Sequence, residues 1–190
     1  MFHILNHAAF KAALFMSAGI VDHETGTRDM RRLGGLMAFM PWIGTLVLIA
    51  SAAMAGIPPF NGFISKEMML DEAVHAGERV WGGFGWAVPL LATAGGLFSM
   101  AYCVRLVHDT FFHGAPRSLP NAHPHEPPMG MKAPVILLVV ICIAVGLAPM
   151  TLAGPMVQLA ASATLGTAAP AFHLALWHGL NLPLALSAVA

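Results

Sequence analysis

The chain has 190 residues, 57% of them apolar and 9% charged, with a mean hydropathy of +0.73 and no formal net charge. A soluble domain usually carries about 25% charged residues, so the composition excludes that class and predicts an all-α, polytopic transmembrane helix bundle. Balanced charge with no basic patch excludes nucleic acid as a partner. The expected surroundings are a lipid bilayer.

The first crossing is predicted over about residues 2–21. Met1–His7 lacks the positive leading region and cleavage site of a signal peptide; it reads as the middle of a helix, and the apolar C-terminus stops as abruptly, so both ends look cut. His3, His7 and Lys11 stand at i, i+4 and i+8, a spacing that drifts only about 80° and keeps them on one helix face. An intramembrane lysine is costly and faces a bundle interior or a wet cavity. Near the centre of the run, where snorkelling is hardest, Lys11 is read as functional. His3 and His7 have the spacing of a zinc pair but no third ligand nearby, so no metal site is assigned.

Residues 22–35 form a polar loop whose Arg28, Arg31 and Arg32 are expected to anchor it at the surface. Residues 41–75 read as one membrane-crossing helix broken at 56–61, which makes the bundle one with a discontinuous helix. Gly56, Pro58 and Pro59 stop the first half, because prolines lack a backbone N–H and restrict the residue before them. Asn61 can cap the second half. Broken backbone at membrane depth leaves carbonyls that only protein, water or an ion can satisfy, so Gly56, Pro58, Pro59 and Asn61 are candidate cation or water contacts. Lys66 follows the break. Its neighbour Glu67 does not face it on a helix, whereas Glu67 and Asp71 share a face and could line an outward exit. As a plain loop, Pro58-Pro59 would separate two halves of about 15 residues, short of the roughly 20 that a crossing needs.

Trp81 and Trp86 suit a membrane boundary. A crossing follows over about 86–107, where Gly95-Gly96 permits close helix contact. The histidines of the loop 111–134 are read as surface residues rather than ligands. Another crossing is predicted over about 133–154. Residues 155–190 form an extra segment with an interfacial stretch and the start of a further helix. Cys103 and Cys142, inside apolar runs, are read as packing residues. With 41–75 as one crossing, Arg28, Arg31, Arg32, Arg105, Arg117 and Lys132 share a side and only Arg79 lies opposite. The positive-inside rule favours that arrangement and puts loop 22–35 in the cytoplasm.

Desolvated amines give up protons readily, and imidazoles carry them near neutral pH. Lys11, His7, His3, Lys66 and Glu67 are therefore the candidate proton-translocation residues. No nucleophile, phosphate loop or redox motif is present, and no cofactor is expected.

The run His3-Ile4-Leu5-Asn6-His7-Ala8-Ala9-Phe10-Lys11-Ala12-Ala13-Leu14-Phe15 resembles the H-x-x-x-H-A-x-F-K-A-x-L-F signature of the antiporter-like proton-channel family. Asp29–Leu36 is similar to its D-x-R-x-x-G-G-L loop, and Gly56–Glu67 to its broken-helix motif. Val21–Asp29, Pro58–Phe63, Ser65–Glu67 and Leu174–Leu184 look like the large, A-type subunit of multisubunit Na⁺/H⁺ antiporters rather than the complex I relatives. Those relatives more typically carry aspartate where Glu67 stands. The resemblance implies that residues 1–154 are the C-terminal part of a proton-channel domain in a plasma-membrane complex. It implies Na⁺ or K⁺ exchange for protons, other membrane subunits as partners, Lys11 on a central hydrophilic axis and Lys66 at its outward end. The alternative is a proton-pumping subunit of NADH:quinone oxidoreductase or a related membrane hydrogenase.

Overall fold

With no water to bond to, a chain in lipid satisfies its backbone polar groups within each segment, which favours helices. The computed structural model describes residues 1–80, 84–121, 123–176, 179 and 182–189, and all regular structure among them is helical. The elements are α1 (Phe2–Thr25), a 3₁₀ turn (Leu36–Ala38), α2 (Pro41–Ala55), α3 (Asn61–Val80), α4 (Ala87–Val107) and a π-helical turn (His108–Phe112). They are followed by α5 (Met129–Leu147), α6 (Pro149–Leu152), α7 (Gly154–Leu165) and α8 (Leu182–Val189). Among the described residues, three segments are long and apolar enough to cross a membrane: Phe2–Thr25, Ala87–Phe112 and Met129–Leu147.

Helix α1 is the ruler for the bundle. Near its end, Ile20 and Val21 share a buried cluster with Leu36, Met40, Ile43 and Val47. Midway, Ala9 and Phe10 pack with Ala53. At its start, Asn6 bonds Asn61 and Phe2 clusters with Phe63 and Ile64. Helices α2 and α3 thus follow each other along α1, both antiparallel to it, as two pieces of one discontinuous helix. Helix α5 runs in their direction: Val139 joins the first cluster, Cys142 the second, and Gly146 meets the break itself. Helix α4 runs oppositely, with Cys103 beside Ser51 and Phe111 against Gly44.

The loops after α1 and after α4 meet on one side. Arg32 donates to the Ser118 carbonyl, and the Arg117 N–H donates to the Arg32 carbonyl at 2.9 Å. The Asn121 amide donates to the Glu24 carbonyl at 2.6 Å, and Nδ1 of His125 lies 2.7 Å from the Glu24 carboxylate. Glu24, only 2% exposed, also takes His23 at 3.1 Å. Arg28 and Arg31 of this loop are exposed and also tie the loop down. Arg28 pairs with Asp22 at 2.8 Å, and Arg31 with Asp29 at 3.0 Å. The Arg31 hydrogen bonds hold the Asp29 carboxyl below the usual aspartate range.

Several expected boundaries shift. Helix α1 continues to Thr25, so Asp22 and Glu24 lie on its last turn, and Gly26, in the left-handed region at φ 72°, ends it. Helix α3 runs to Val80, beyond His75. The crossing predicted to 154 stops at Leu147, because Pro149 cannot supply the next helical N–H and opens α6 instead. Gly95, expected at a helix contact, has no atom of the described residues beyond its own stretch of helix within 4 Å of where a Cβ would point. Close approaches of one helix or segment to another's backbone fall instead at Gly62, against Ala53, and Gly146, against Pro59. Lipid does not drive apolar helices together, so such small residues set where backbones touch. Trp81, Gly82, Gly83, Trp177, His178, Leu180 and Asn181 lie outside the described residues.

Candidate functional site

The site is built where α2 ends and α3 begins. Ala55 is the last residue of α2, and Gly56 (φ 80°, ψ 39°) turns the chain out of the helix. Only glycine takes that conformation without strain. The Gly56 N–H bonds the Ala53 carbonyl and the Ile57 N–H the Ala52 carbonyl, which satisfies part of the helix end. The Ala55 carbonyl is capped differently: Lys66 Nζ donates to it at 3.2 Å. To get there the lysine stem lies across Gly56, where a Cβ would stand 2.6 Å from Lys66 Cδ. The second reason for glycine here is therefore steric.

Two more glycines let the break close against its surroundings. A Cβ on Gly62 would collide with the Ala53 carbonyl, and one on Gly146 with the Pro59 carbonyl. The first turn of α3 thus rests on the end of α2, and the diproline segment rests on α5.

Asn61 does not act as a cap. Its Nδ2 donates to Asn6 Oδ1 at 3.0 Å, and Asn6 Nδ2 returns a bond to the Asn61 carbonyl at 3.3 Å. Asn61 is 0% exposed, and its Oδ1 has no hydrogen-bond partner among the described residues. The amide turned toward α1 because Asn6 offered a buried acceptor, which sequence spacing alone does not reveal.

One turn further, His3 Nδ1 lies 3.2 Å from Ser65 Oγ, joining α1 to α3. Ser65 has a single hydrogen, and it goes to the Gly62 carbonyl at 3.1 Å. Ser65 therefore accepts from His3 Nδ1–H, leaving Nε2 as the basic nitrogen of neutral His3. The rings of His3 and His7 are 5.9 Å apart, and His7 stands edge-on to Phe10 at 5.5 Å.

Lys11 takes another direction. Its ammonium lies 5.7 Å from the centre of the Tyr102 ring on α4, within reach of a cation–π attraction. It lines a cavity of about 450 Å³ with Phe15, Ser17, Leu106, Thr110 and, toward the loop side, Arg28. Glu67 is buried on α3, whereas Asp71 one turn on is exposed and lies 3.6 Å from His75. The structure thus brings His3, His7, Ser65, Asn61 and Lys66 to one end of α1 and sets Lys11 on the flank shared with α4.

With this geometry in place, the known relatives can be read. Residues 1–92 match the family described as NADH:quinone oxidoreductase/Mrp antiporter, TM. The A/B-type subunit of a probable K(+)/H(+) antiporter of Rhizobium meliloti is 48% identical over 190 residues, spanning 100% of this chain and 19% of that protein. Residues 1–92 carry the transmembrane domain of the NADH:quinone oxidoreductase/Mrp antiporter family. The A-type subunit of the Na(+)/H(+) antiporter of Alkalihalophilus pseudofirmus is 42% identical over 192 residues, with shares of 97% and 24%. A solved structure of the Mrp complex from Dietzia sp. superposes with a TM-score of 0.81 at 36% identity, covering 99% of this chain and 19% of that one. The chain spans about a fifth to a quarter of the length of these relatives.

The three motifs read from the sequence all lie within the family match. Reading the sequence missed Asn6, Ser65, Tyr102 and Gly146. Asn6 and Ser65 sit inside the quoted motifs, but nothing in their spacing says that they meet across two helices. Tyr102, the single tyrosine of the chain, was the one polar aromatic that could have been singled out.

Proposed function

We propose that this chain is a stretch of the large subunit of a multisubunit antiporter that exchanges Na⁺ or K⁺ for protons across the plasma membrane, with loop 22–35 on the cytoplasmic side. Residues 1–154 belong to its proton-channel domain, and 155–190 lead into a further membrane helix. Other membrane subunits are its partners, and its role is transport rather than catalysis. The names of the relatives support antiport over the redox-driven alternative.

The observation that carries the reading is the hydrogen bond from His3 to Ser65 beside a lysine whose ammonium caps the broken end of α2. A proton reaching His3 Nε2 can leave Nδ1, so an imidazole here moves protons between the α1 face and the break. Lys66, half-buried beside the break, can hold a proton and release it. Lys11 supplies the amine nearer the middle of α1, about 14 Å along the helix from Phe2 at 1.5 Å per residue. Glu67, buried beside Lys66 in sequence, is the carboxylate of the outward end.

The test uses the full-length parent in cells stripped of their own antiporters. ΔpH-driven Na⁺ or K⁺ exchange is expected in vesicles without NADH or quinone. Lys11→Ala and Lys66→Ala are expected to abolish it with assembly intact. No exchange by the wild type would overturn the antiport reading, and normal exchange in both variants would overturn the lysine relay.

A further inference from the structure

The geometry points to a competition at the broken helix: the carbonyl end of α2 is a monovalent-cation site that the protonated Lys66 ammonium occupies and, on losing its proton, vacates. The inference rests on the antiport reading and names how the two ions are coupled.

The carbonyl end of a helix carries roughly half a negative charge, and carbonyls at the ends of half-helices coordinate Na⁺ in broken-helix transporters. In this chain that end already holds a cation. Lys66 Nζ sits 3.2 Å from the Ala55 carbonyl, the position that the next backbone N–H would fill in an unbroken helix. Two further features say that the seat is built. Gly56 leaves a channel for the lysine stem, since any Cβ there would strike Lys66 Cδ. The Lys66 ammonium rests on the Ala55 carbonyl, and among the described residues no ion pair with a carboxylate holds it there; a carbonyl dipole also accepts Na⁺ or K⁺. The break also holds Asn61 Oδ1, a fully buried oxygen acceptor without a hydrogen-bond partner among the described residues.

Two unit charges about 4 Å apart at an effective dielectric of 20 repel by an amount equal to roughly a thousand-fold in affinity. An alkali cation and a charged Lys66 therefore exclude each other. The step balances: Lys66–NH₃⁺ breaks one N–H bond, the proton leaves to water, the neutral amine swings off the carbonyl, and one cation takes its place. The charge in the break is +1 before and after the exchange. One proton leaves per cation bound, so the two ions cross in opposite turns.

The experiment measures ²²Na⁺ and ⁸⁶Rb⁺ binding by the assembled full-length complex at several pH values. In parallel, a pH dye in weak buffer reports proton release on adding NaCl or KCl, with choline chloride as the control. The wild type is expected to release one proton per bound cation, with affinity rising about tenfold per pH unit below the lysine's titration. Lys66→Ala is expected to bind the cation with pH-independent affinity and release no proton. Lys66→Arg, a charge that cannot be given up, is expected to bind the cation at least about a hundred-fold more weakly than Lys66→Ala at every pH. If Lys66→Ala does not assemble, Lys66→Met is read in the same way.

Proton release and a pH slope retained in Lys66→Ala, or a Lys66→Arg affinity equal to that of Lys66→Ala, would overturn the competition. Exchange lost in Lys11→Ala and Lys66→Ala, with the pH slope kept in the latter, sinks the competition alone. Absence of ΔpH-driven exchange in the wild type sinks the antiport reading itself.

Discussion

Gly56→Ala is the perturbation that tests the break most directly. Two costs are expected, and they have different origins. Holding alanine at φ 80°, ψ 39° puts its Cβ too near the following carbonyl, at about 1–2 kcal/mol. The same Cβ, 2.6 Å from Lys66 Cδ, pushes the lysine stem aside, and the bond to the Ala55 carbonyl is lost. A hydrogen bond from a charged donor contributes about 1.5–3 kcal/mol, less where water reaches the half-exposed ammonium. In a Lys66→Ala background only the backbone cost remains. Thermal unfolding of the detergent-solubilised protein, followed by tryptophan fluorescence at one scan rate, measures all four members of the cycle. At about 2–4 °C per kcal/mol for a chain of this size, Gly56→Ala should lower the midpoint several degrees more with Lys66 present than without it. Equal shifts in the two backgrounds would mean that the lysine stem does not rest on Gly56, and the account of the capped helix end would go with it.

Other expectations follow from the same contacts. Asn6→Leu strands the Asn61 Nδ2 donor and carbonyl in a buried site and should cost about 1–3 kcal/mol, whereas adding Asn61→Leu should recover part of the loss, measurable as non-additivity in the same melts. Gly146→Val should force the Pro59 carbonyl off α5 and abolish exchange in vesicles while circular dichroism keeps the helix content. His125→Ala removes one of the two imidazoles on the buried Glu24 carboxylate, and limited proteolysis should then cut the 113–128 loop faster. Asp29, held below the usual aspartate range by Arg31, contributes to loop order above its unfolded pKa and loses that contribution as pH falls through the folded value. Arg31→Ala should move its carboxyl titration back up, as read by carbon NMR.

The sequence by itself determined the class of molecule, the helices and where one of them breaks. Those follow from composition and from backbone chemistry that acts within a few residues: a long apolar run must be helical in lipid, and Gly56-Ile57-Pro58-Pro59 must interrupt it. The motifs around His3, Lys11 and Lys66 also carried the family, because side chains with that chemistry at that spacing are rarely assembled otherwise. Where each polar group points was decided only in three dimensions. Asn61 had the identity of a cap and became a partner of Asn6. Lys11 shares a helical face with His3 and His7, yet its long stem carried the charge to Tyr102 on α4. Gly95 looked like a packing glycine and met no other helix among the described residues, while Gly146 met the break. A hydrogen bond or close approach between distant segments depends on register between helices. Register is set by which side chains and backbones fit together after the helices dock, and no local pattern in a single chain encodes it.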